Sequence, residues 1–388
     1  WMVEPPGIFM GRGEHPMRGK WKPRVYKKDV TLNLGDDAAV PKGDWGKIIH
    51  DHDSMWLARW VDKLSDKEKY VWLSDTATLK QKRDKAKYDK ANKLGQQIDK
   101  VIAKIYEAME SKDVRERMIA TVCFLIYRLA MRVGDEKDPD EADTVGASTL
   151  RVEHVKLNTN SVEFDFLGKD SVRWQKSMDV GGRDQAVHRN MKEFVKNKKP
   201  SDLIFSEITS RNVNNFFGSI AKGLTAKVFR TYLATEVVTK HLSKVDGKIA
   251  KGSEYYKIYH AKKANLEAAI ACNHKRAPPK NFEQGLEKKK AMIEKIRATK
   301  PKTEKQAIRL KEREEKVELQ LELAEKTRDY NLGTSLRNYI DPRVYKAWCD
   351  HVDLDWTKIY TKTLQRKFMW VGKYTPNWQK IVVVKKAR

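Results

Sequence analysis

One stretch of the chain constrains the fold more than any other. From Val114 to Val133 the sequence is apolar almost all round a helical projection, with Met118, Ile119, Val122, Phe124, Leu125, Ile126 and Leu129 spread over its faces. A helix with no wet face belongs inside a protein, so the pattern predicts a core helix. No apolar run in the chain is unbroken for long enough to span a bilayer, and no secretory signal is present.

The flanking segments fill in an α+β, mainly helical chain. Ahead of the core helix, Leu94, Ile98, Val101, Ile102, Ile105 and Met109 recur at helical spacing on a basic background, which predicts a surface helix over 83–110 with one buried stripe. Residues 1–82 read as irregular and β-rich, with turn signals at Glu4–Gly7 and Gly11–Gly13 and apolar runs at Thr31–Leu34, Met55–Leu57 and Tyr70–Leu73. Between 149 and 180 the period becomes two. Val162, Phe164 and Phe166 alternate with Glu163 and Asp165, and Gly168-Lys169-Asp170 makes the turn of a β-hairpin with a lysine at its tip. Helices are expected again near Asn212–Ser219, Thr225–Leu242 and Glu254–Cys272, the last stopped by Pro278-Pro279. Residues 283–329 are dominated by Lys, Glu, Arg, Gln and Leu and read as a charged helical hairpin turning at Lys300-Pro301-Lys302. A small unit follows over 331–378, anchored by Trp348, Trp356, Tyr360, Phe368 and Trp370.

Charge narrows the partner. Lys and Arg number 79 against 53 Asp and Glu, a net +26 that favours a polyanion, nucleic acid foremost, although ribosome-like scaffolding or an anionic membrane surface would also use it. The 11 Trp and 14 Tyr exclude a simple disordered basic tail. Cys123, Cys272 and Cys349 are odd in number and far apart, which indicates neither a zinc site nor a disulfide framework and fits a reducing compartment. The chain opens on Trp1 and not Met, so an N-terminal portion is expected to have been removed or left out.

Five segments stand out together: Leu129–Lys137, Phe166–Ser171, Leu224–Tyr232, Cys272–Lys280 and Gly333–Arg343. In order and content they closely resemble the catalytic core, linker and C-terminal domain of the eukaryotic type IB DNA topoisomerases. Residues 4–16 resemble the stretch of that family that leads into the DNA clamp. The resemblance runs from Glu4 to Trp370, nearly the whole chain. It implies a β-rich N-terminal clamp lobe (1–82), a helical, tyrosine-recombinase-like catalytic lobe with a small antiparallel sheet (83–280), a charged helical linker (281–330) and a small helical C-terminal domain (331–388).

It also implies a chemistry. A tyrosine hydroxyl titrates near about 10 and is a weak nucleophile unaided, so attack on a phosphodiester needs in-line placement and charge stabilisation at phosphorus. By resemblance Tyr339 is the nucleophile, and Arg132 and Arg230 hold the phosphate, as guanidiniums that cannot deprotonate. His274 donates to a non-bridging oxygen, and Lys169 protonates the departing 5′ oxygen. Singly, each has an ordinary structural explanation: Arg132 as a helix-end cation, Lys169 as a solvated turn residue, His274 as a cap, Tyr339 as packing. Their joint occurrence in family order outweighs those explanations. Arg12, Asp170 and Asn338 resemble residues that contact DNA or border the inhibitor pocket at the nick, where camptothecin-type compounds bind.

The implied reaction relaxes duplex DNA, preferentially supercoiled, through a 3′-phosphotyrosine, with neither ATP nor a metal, in the nucleus and away from membranes. Departures are specific. Leu336 replaces the lysine of the Ser-Lys-x-x-Tyr motif, leaving Arg337 to restore part of its charge. Met10 stands where a DNA-contacting arginine is usual, and residues 379–388 show no recognised resemblance. The cap segment that precedes Glu4 in the family is not in this sequence, so a missing N-terminal segment or a second subunit is an expected partner. A tyrosine site-specific recombinase shares the Arg/Lys/His/Arg/Tyr chemistry but lacks the charged linker and the Ala277-Pro278-Pro279-Lys280 stretch. A catalytically impaired duplex-DNA-binding module is the third reading, kept open by Leu336.

Overall fold

The computed structural model describes residues 3–11, 13–135, 143–244, 249, 251–374 and 377–386. Arg12, Glu136 and Lys137 lie outside the described residues. The architecture is mixed α+β, with sheet at the N-terminal end and helices through the middle and the C-terminal end.

Strands β1 (Gly7–Ile8) and β2 (Trp21–Lys22) pair antiparallel. A four-stranded sheet follows in the order β4-β3-β5-β6, from β3 (Thr31–Asn33), β4 (Lys47–Ile49), β5 (Trp56–Val61) and β6 (Glu68–Trp72). The apolar runs at Leu32, Trp56 and Tyr70 supply β3, β5 and β6. Strand β4, parallel to β3, is too short to show a period. The core here is small, with Val25, Val30 and Leu32 fully buried. Ion pairs supplement it: Asp62, only 2% exposed, meets Lys22 at 2.9 Å and Lys69 at 2.6 Å.

Helix α1 (Thr78–Met109) starts earlier than its apolar stripe suggested, because nothing before Tyr88 is fully buried. Its stripe packs on the core helix α2 (Val114–Leu129), whose first turn is capped by the Asp113 carboxylate accepting from the Arg115 amide. The core helix was expected to run to Val133 but stops at Leu129, where Ala130 turns left-handed (φ 54°, ψ 32°). Met131 and Val133 still pack against the core after the helix has ended, which is why the apolar pattern overran it.

The period-two segment forms an antiparallel sheet of β7 (Val155–Leu157), β8 (Ser161–Gly168) and β9 (Val172–Asp179). Val162, Phe164 and Phe166 are buried as expected, and Gly168 pairs with Val172 to close the hairpin. Asp170 (φ 66°) and Ser171 (φ 56°) take the turn in the left-handed region. Helix α3 (Gln185–Phe194) was not named from the sequence, although Val187, Met191 and Phe194 recur at helical spacing; its buried face also holds Asn190, bonded to the Met109 carbonyl at 2.9 Å.

Helices α4 (Ser210–Ile220), α5 (Ala226–Ser243) and α6 (Glu254–Ala271) fall where the sequence placed them. Helices α7 (Phe282–Ala298) and α8 (Glu304–Lys326) pack on each other through Ile293, Ile296 and Val317, with the expected Lys300–Lys302 turn between them. The C-terminal helices are α9 (Leu332–Asn338), α10 (Pro342–His351), α11 (Lys362–Lys367) and α12 (Trp378–Lys386). Trp348 and Phe368 are wholly buried and share one core with Ala234 and Val238 of α5 and Ala264 and Ala268 of α6. That shared core is what brings Tyr339 beside residues far earlier in the chain.

Candidate active site

Four chain segments converge, and each is fixed by its backbone. Beyond Ala130 the segment of Arg132 is clamped by the Ala147 amide on the Arg132 carbonyl (2.8 Å) and the Ser148 amide on that of Val133 (2.7 Å). Gly134 and Gly146 cross here so closely that a Cβ on Gly146 would lie 2.4 Å from the Gly134 Cα, so neither tolerates a side chain. Arg230 projects from α5 and is 5% exposed. Its guanidinium donates to the Ala130 carbonyl, to the Cys272 carbonyl at 2.8 Å and to His274 Nε2 at 3.3 Å.

His274 follows the end of α6. Asn273 turns left-handed (φ 53°), and the His274 amide returns to the Ala269 carbonyl at 2.8 Å. Its own carbonyl accepts from Asn331 (2.7 Å), the cap of α9, which ties the histidine to the tyrosine-bearing helix. Tyr339 ends that helix. Ser335 of α9 donates to Asn265 Oδ1 of α6 at 2.7 Å, and Thr235 of α5 bridges the Tyr339 carbonyl (3.3 Å) and the Asp341 amide (3.0 Å).

The four side chains meet around the phenol. Arg132 Nη1 donates to Tyr339 Oη at 3.2 Å. The Tyr339 ring stacks on that of His274 with centroids 5.3 Å apart, and the Arg230 guanidinium stands 5.2 Å from its centroid. Burial alone would push the phenol up, but the charges of Arg230 and Arg132 and the Arg132 hydrogen bond outweigh it, so Tyr339 titrates below its ordinary value. Burial, then the same two arginines, lowers His274 to about 3, so its ring is neutral in the free protein. With Nε2 accepting from Arg230, the ring hydrogen sits on Nδ1. That atom and Arg230 Nε have no hydrogen-bond partner among the described residues.

A cavity of about 430 Å³ opens beside this cluster, lined by Arg132, Lys169, Asp170, Arg230, His274 and Lys275 among others. Tyr339 is not among its lining residues, but its hydroxyl bonds Arg132, which is. Exposed Lys169 sits at the hairpin tip as the sequence placed it. Gly13 (φ +60°) presses on that tip, where a Cβ would lie 2.1 Å from Ser171 Oγ. Leu336, Arg337 and Asn338 are not among the cavity's lining residues. Asn338 bonds the Thr334 carbonyl at 3.2 Å, Arg337 pairs with Asp75 at 3.0 Å, and Leu336 packs on the C-terminal core. Sequence reasoning passed over Thr235 and Asn265, whose signal is a polar side chain on a buried helix face, and gave Ser335 no role beyond its place in the motif. It also passed over Lys176.

Comparison with known proteins adds a separate line. A family model described as the catalytic core of eukaryotic DNA topoisomerase I matches residues 76–307. The DNA binding fragment of the same family matches residues 1–73, and the C-terminal topoisomerase domain matches 311–380. The chain is 39% identical to DNA topoisomerase 1 of Drosophila melanogaster over 95% of its own length and 40% of the relative's. Against DNA topoisomerase 1 alpha of Arabidopsis thaliana the identity is 37%, over 97% of this chain and 44% of the other. Against DNA topoisomerase 1 of Homo sapiens it is 36%, over 95% and 52%. The chain thus spans about half the length of the curated relatives it matches.

Proposed function

The chain belongs to the eukaryotic type IB DNA topoisomerase family, and on that premise we propose that it relaxes supercoiled duplex DNA by reversible single-strand cleavage through Tyr339. The observation that carries the reading is the phenol itself, bonded to Arg132 and set against Arg230 and His274, three residues that line a basic cavity.

In this reading a phosphodiester enters the cavity and its non-bridging oxygens take the two guanidiniums. Tyr339 Oη loses its proton to solvent and attacks phosphorus in line, the bond to the 5′ oxygen breaks, and a 3′-phosphotyrosine forms. Lys169 gives its proton to the departing 5′ oxygen. His274 Nε2, released from Arg230 when that guanidinium turns to phosphate, takes a proton from solvent and donates it in a hydrogen bond to a non-bridging oxygen. Arg132 already stands against the phenol before substrate arrives, so its share of the charge stabilisation needs little reorganisation. The downstream duplex rotates, and the 5′ hydroxyl reverses the step. The bond energy stays in the phosphotyrosine, so the cycle uses neither ATP nor a metal. The reading extends to a nuclear site of action, to the four-part clamp division at 82, 280 and 330, and to camptothecin-type inhibitors, for which Asp170 at the cavity wall is the supporting residue.

The test is trapping. The chain incubated with supercoiled plasmid in excess EDTA without ATP, then denatured, yields a protein–DNA adduct on the 3′ side of a nick, and Tyr339→Phe yields none while still binding DNA. An adduct formed by Tyr339→Phe would remove the nucleophile. Relaxation that requires added metal or ATP would point to another enzyme class.

A further inference from the structure

Strand β9 carries one residue out of pattern. Val172, Trp174 and Met178 occupy its covered side, and Lys176 holds the position between the last two, paired in register with Phe164. A lysine on the inner side of a strand must find acceptors for its ammonium. Lys176 Nζ donates to the Ala271 carbonyl at 2.7 Å and, more weakly, to the Leu129 carbonyl at 3.5 Å, with the Trp174 ring 5.4 Å away. Ala271 is the last residue of α6 and Leu129 the last of α2. The next carbonyl of each helix, Cys272 and Ala130, accepts from Arg230. Two helix C-terminal ends, each carrying negative partial charge, are therefore joined by two cations. The backbone leaving one end reaches Arg132 within three residues, and the other reaches His274 within three.

We propose that Lys176 is a positioning residue of the active site, which together with Arg230 ties the ends of α2 and α6 and so sets the spacing of Arg132 and His274. Its catalytic consequence rests on the cleavage reaction proposed above. The titratable and charged groups that act on it are Cys272, Arg230 and Lys275. Burial, opposed by Cys272 and aided by Arg230 and Lys275, lowers the ammonium to about 8. Above that value the charge is lost, so the tie weakens on the alkaline side.

The test compares the full chain with K176M and K176R. Amide hydrogen exchange at pH 7 over residues 130–135 and 272–275 needs no activity. It is expected to quicken about tenfold or more in K176M, the scale of one lost buried charged hydrogen bond, and to stay near wild type in K176R. Single-turnover cleavage of a nicked suicide duplex is expected to be about tenfold slower or more in K176M. In the wild type cleavage should decline as pH rises through about 8, whereas K176R, always charged, should hold its rate further. Unchanged exchange in K176M, or an alkaline decline shared by wild type and K176R, overturns the proposal. Should K176M fail to fold, the alkaline limb of K176R decides. Absence of any adduct at any pH would count against the cleavage reading, and exchange would still judge the tie.

Discussion

Arg132 Nη1 donates to Tyr339 Oη across 3.2 Å, although 207 positions separate the two residues in sequence. One guanidinium thus already touches the proposed nucleophile. Arg230, the other, is committed to backbone: it holds the Ala130 and Cys272 carbonyls and His274 Nε2. The two arginines share a charge and differ in what else depends on them.

Arg132→Ala and Arg230→Ala should each slow single-turnover cleavage by roughly 10²-fold or more, the usual loss for one transition-state donor. Only Arg230→Ala should also destabilise the fold, because it strands two buried carbonyls at about 1–3 kcal/mol each. Urea unfolding of both variants beside their cleavage rates separates the two effects. Equal stability in the two variants would show that the carbonyl contacts of Arg230 carry no weight.

Lys169 is exposed at the hairpin tip on the cavity wall, free to follow a leaving oxygen. Lys169→Ala should lose cleavage on an ordinary duplex and regain it when sulfur replaces the 5′ bridging oxygen, since a thiolate leaves without protonation. Arg132→Ala should gain nothing from the same substrate. Sulfur that fails to rescue Lys169→Ala would remove its role as the acid.

The sequence showed the elements better than their ends. The alternation from Val162 to Phe166 gave the hairpin and put Lys169 at its tip, because a two-residue period survives burial of one face. The core helix was read past its end because Met131 and Val133 stay apolar for packing after Ala130 has left the helix. Arg132 therefore lies beyond the helix end, in the segment held by Ala147 and Ser148. Residues that position the site were hidden because their partners are backbone carbonyls: nothing in the sequence around Lys176 names Ala271, 95 positions away. Arg12 was singled out by its motif, and its place lies outside the described residues.

Arg337 was expected to restore part of the charge lost where Leu336 replaces a lysine, yet its guanidinium is taken by Asp75, which also binds Lys80 at 2.8 Å. An arginine already held by a carboxylate is less available to a DNA phosphate. Arg337→Ala should therefore leave the slope of log affinity against log salt unchanged, where loss of a phosphate contact would change it by about one. The pair is half exposed on the arginine side, so its loss should cost at most about 1 kcal/mol. A slope that drops by one would place Arg337 on the phosphate backbone.

His274 links the site to acid stability. In the folded protein burial and the two arginines hold it at about 3, whereas an unfolded histidine titrates near about 6.5. Between those values the unfolded chain binds a proton that the folded chain refuses, so stability falls as pH drops through that window and is unaffected by this group above it. His260, lowered to about 4 by burial and by Lys263, works in the same direction and remains in any His274 variant. His274→Gln should therefore lose less stability than wild type between pH 7 and pH 4 without becoming insensitive to acid. Urea midpoints at pH 7, 6, 5 and 4 give the comparison, made without DNA because a bound phosphate would favour the charged ring. Parallel curves for the two proteins would mean that His274 is protonated in the folded site, and the neutral ring that accepts from Arg230 would have to be abandoned.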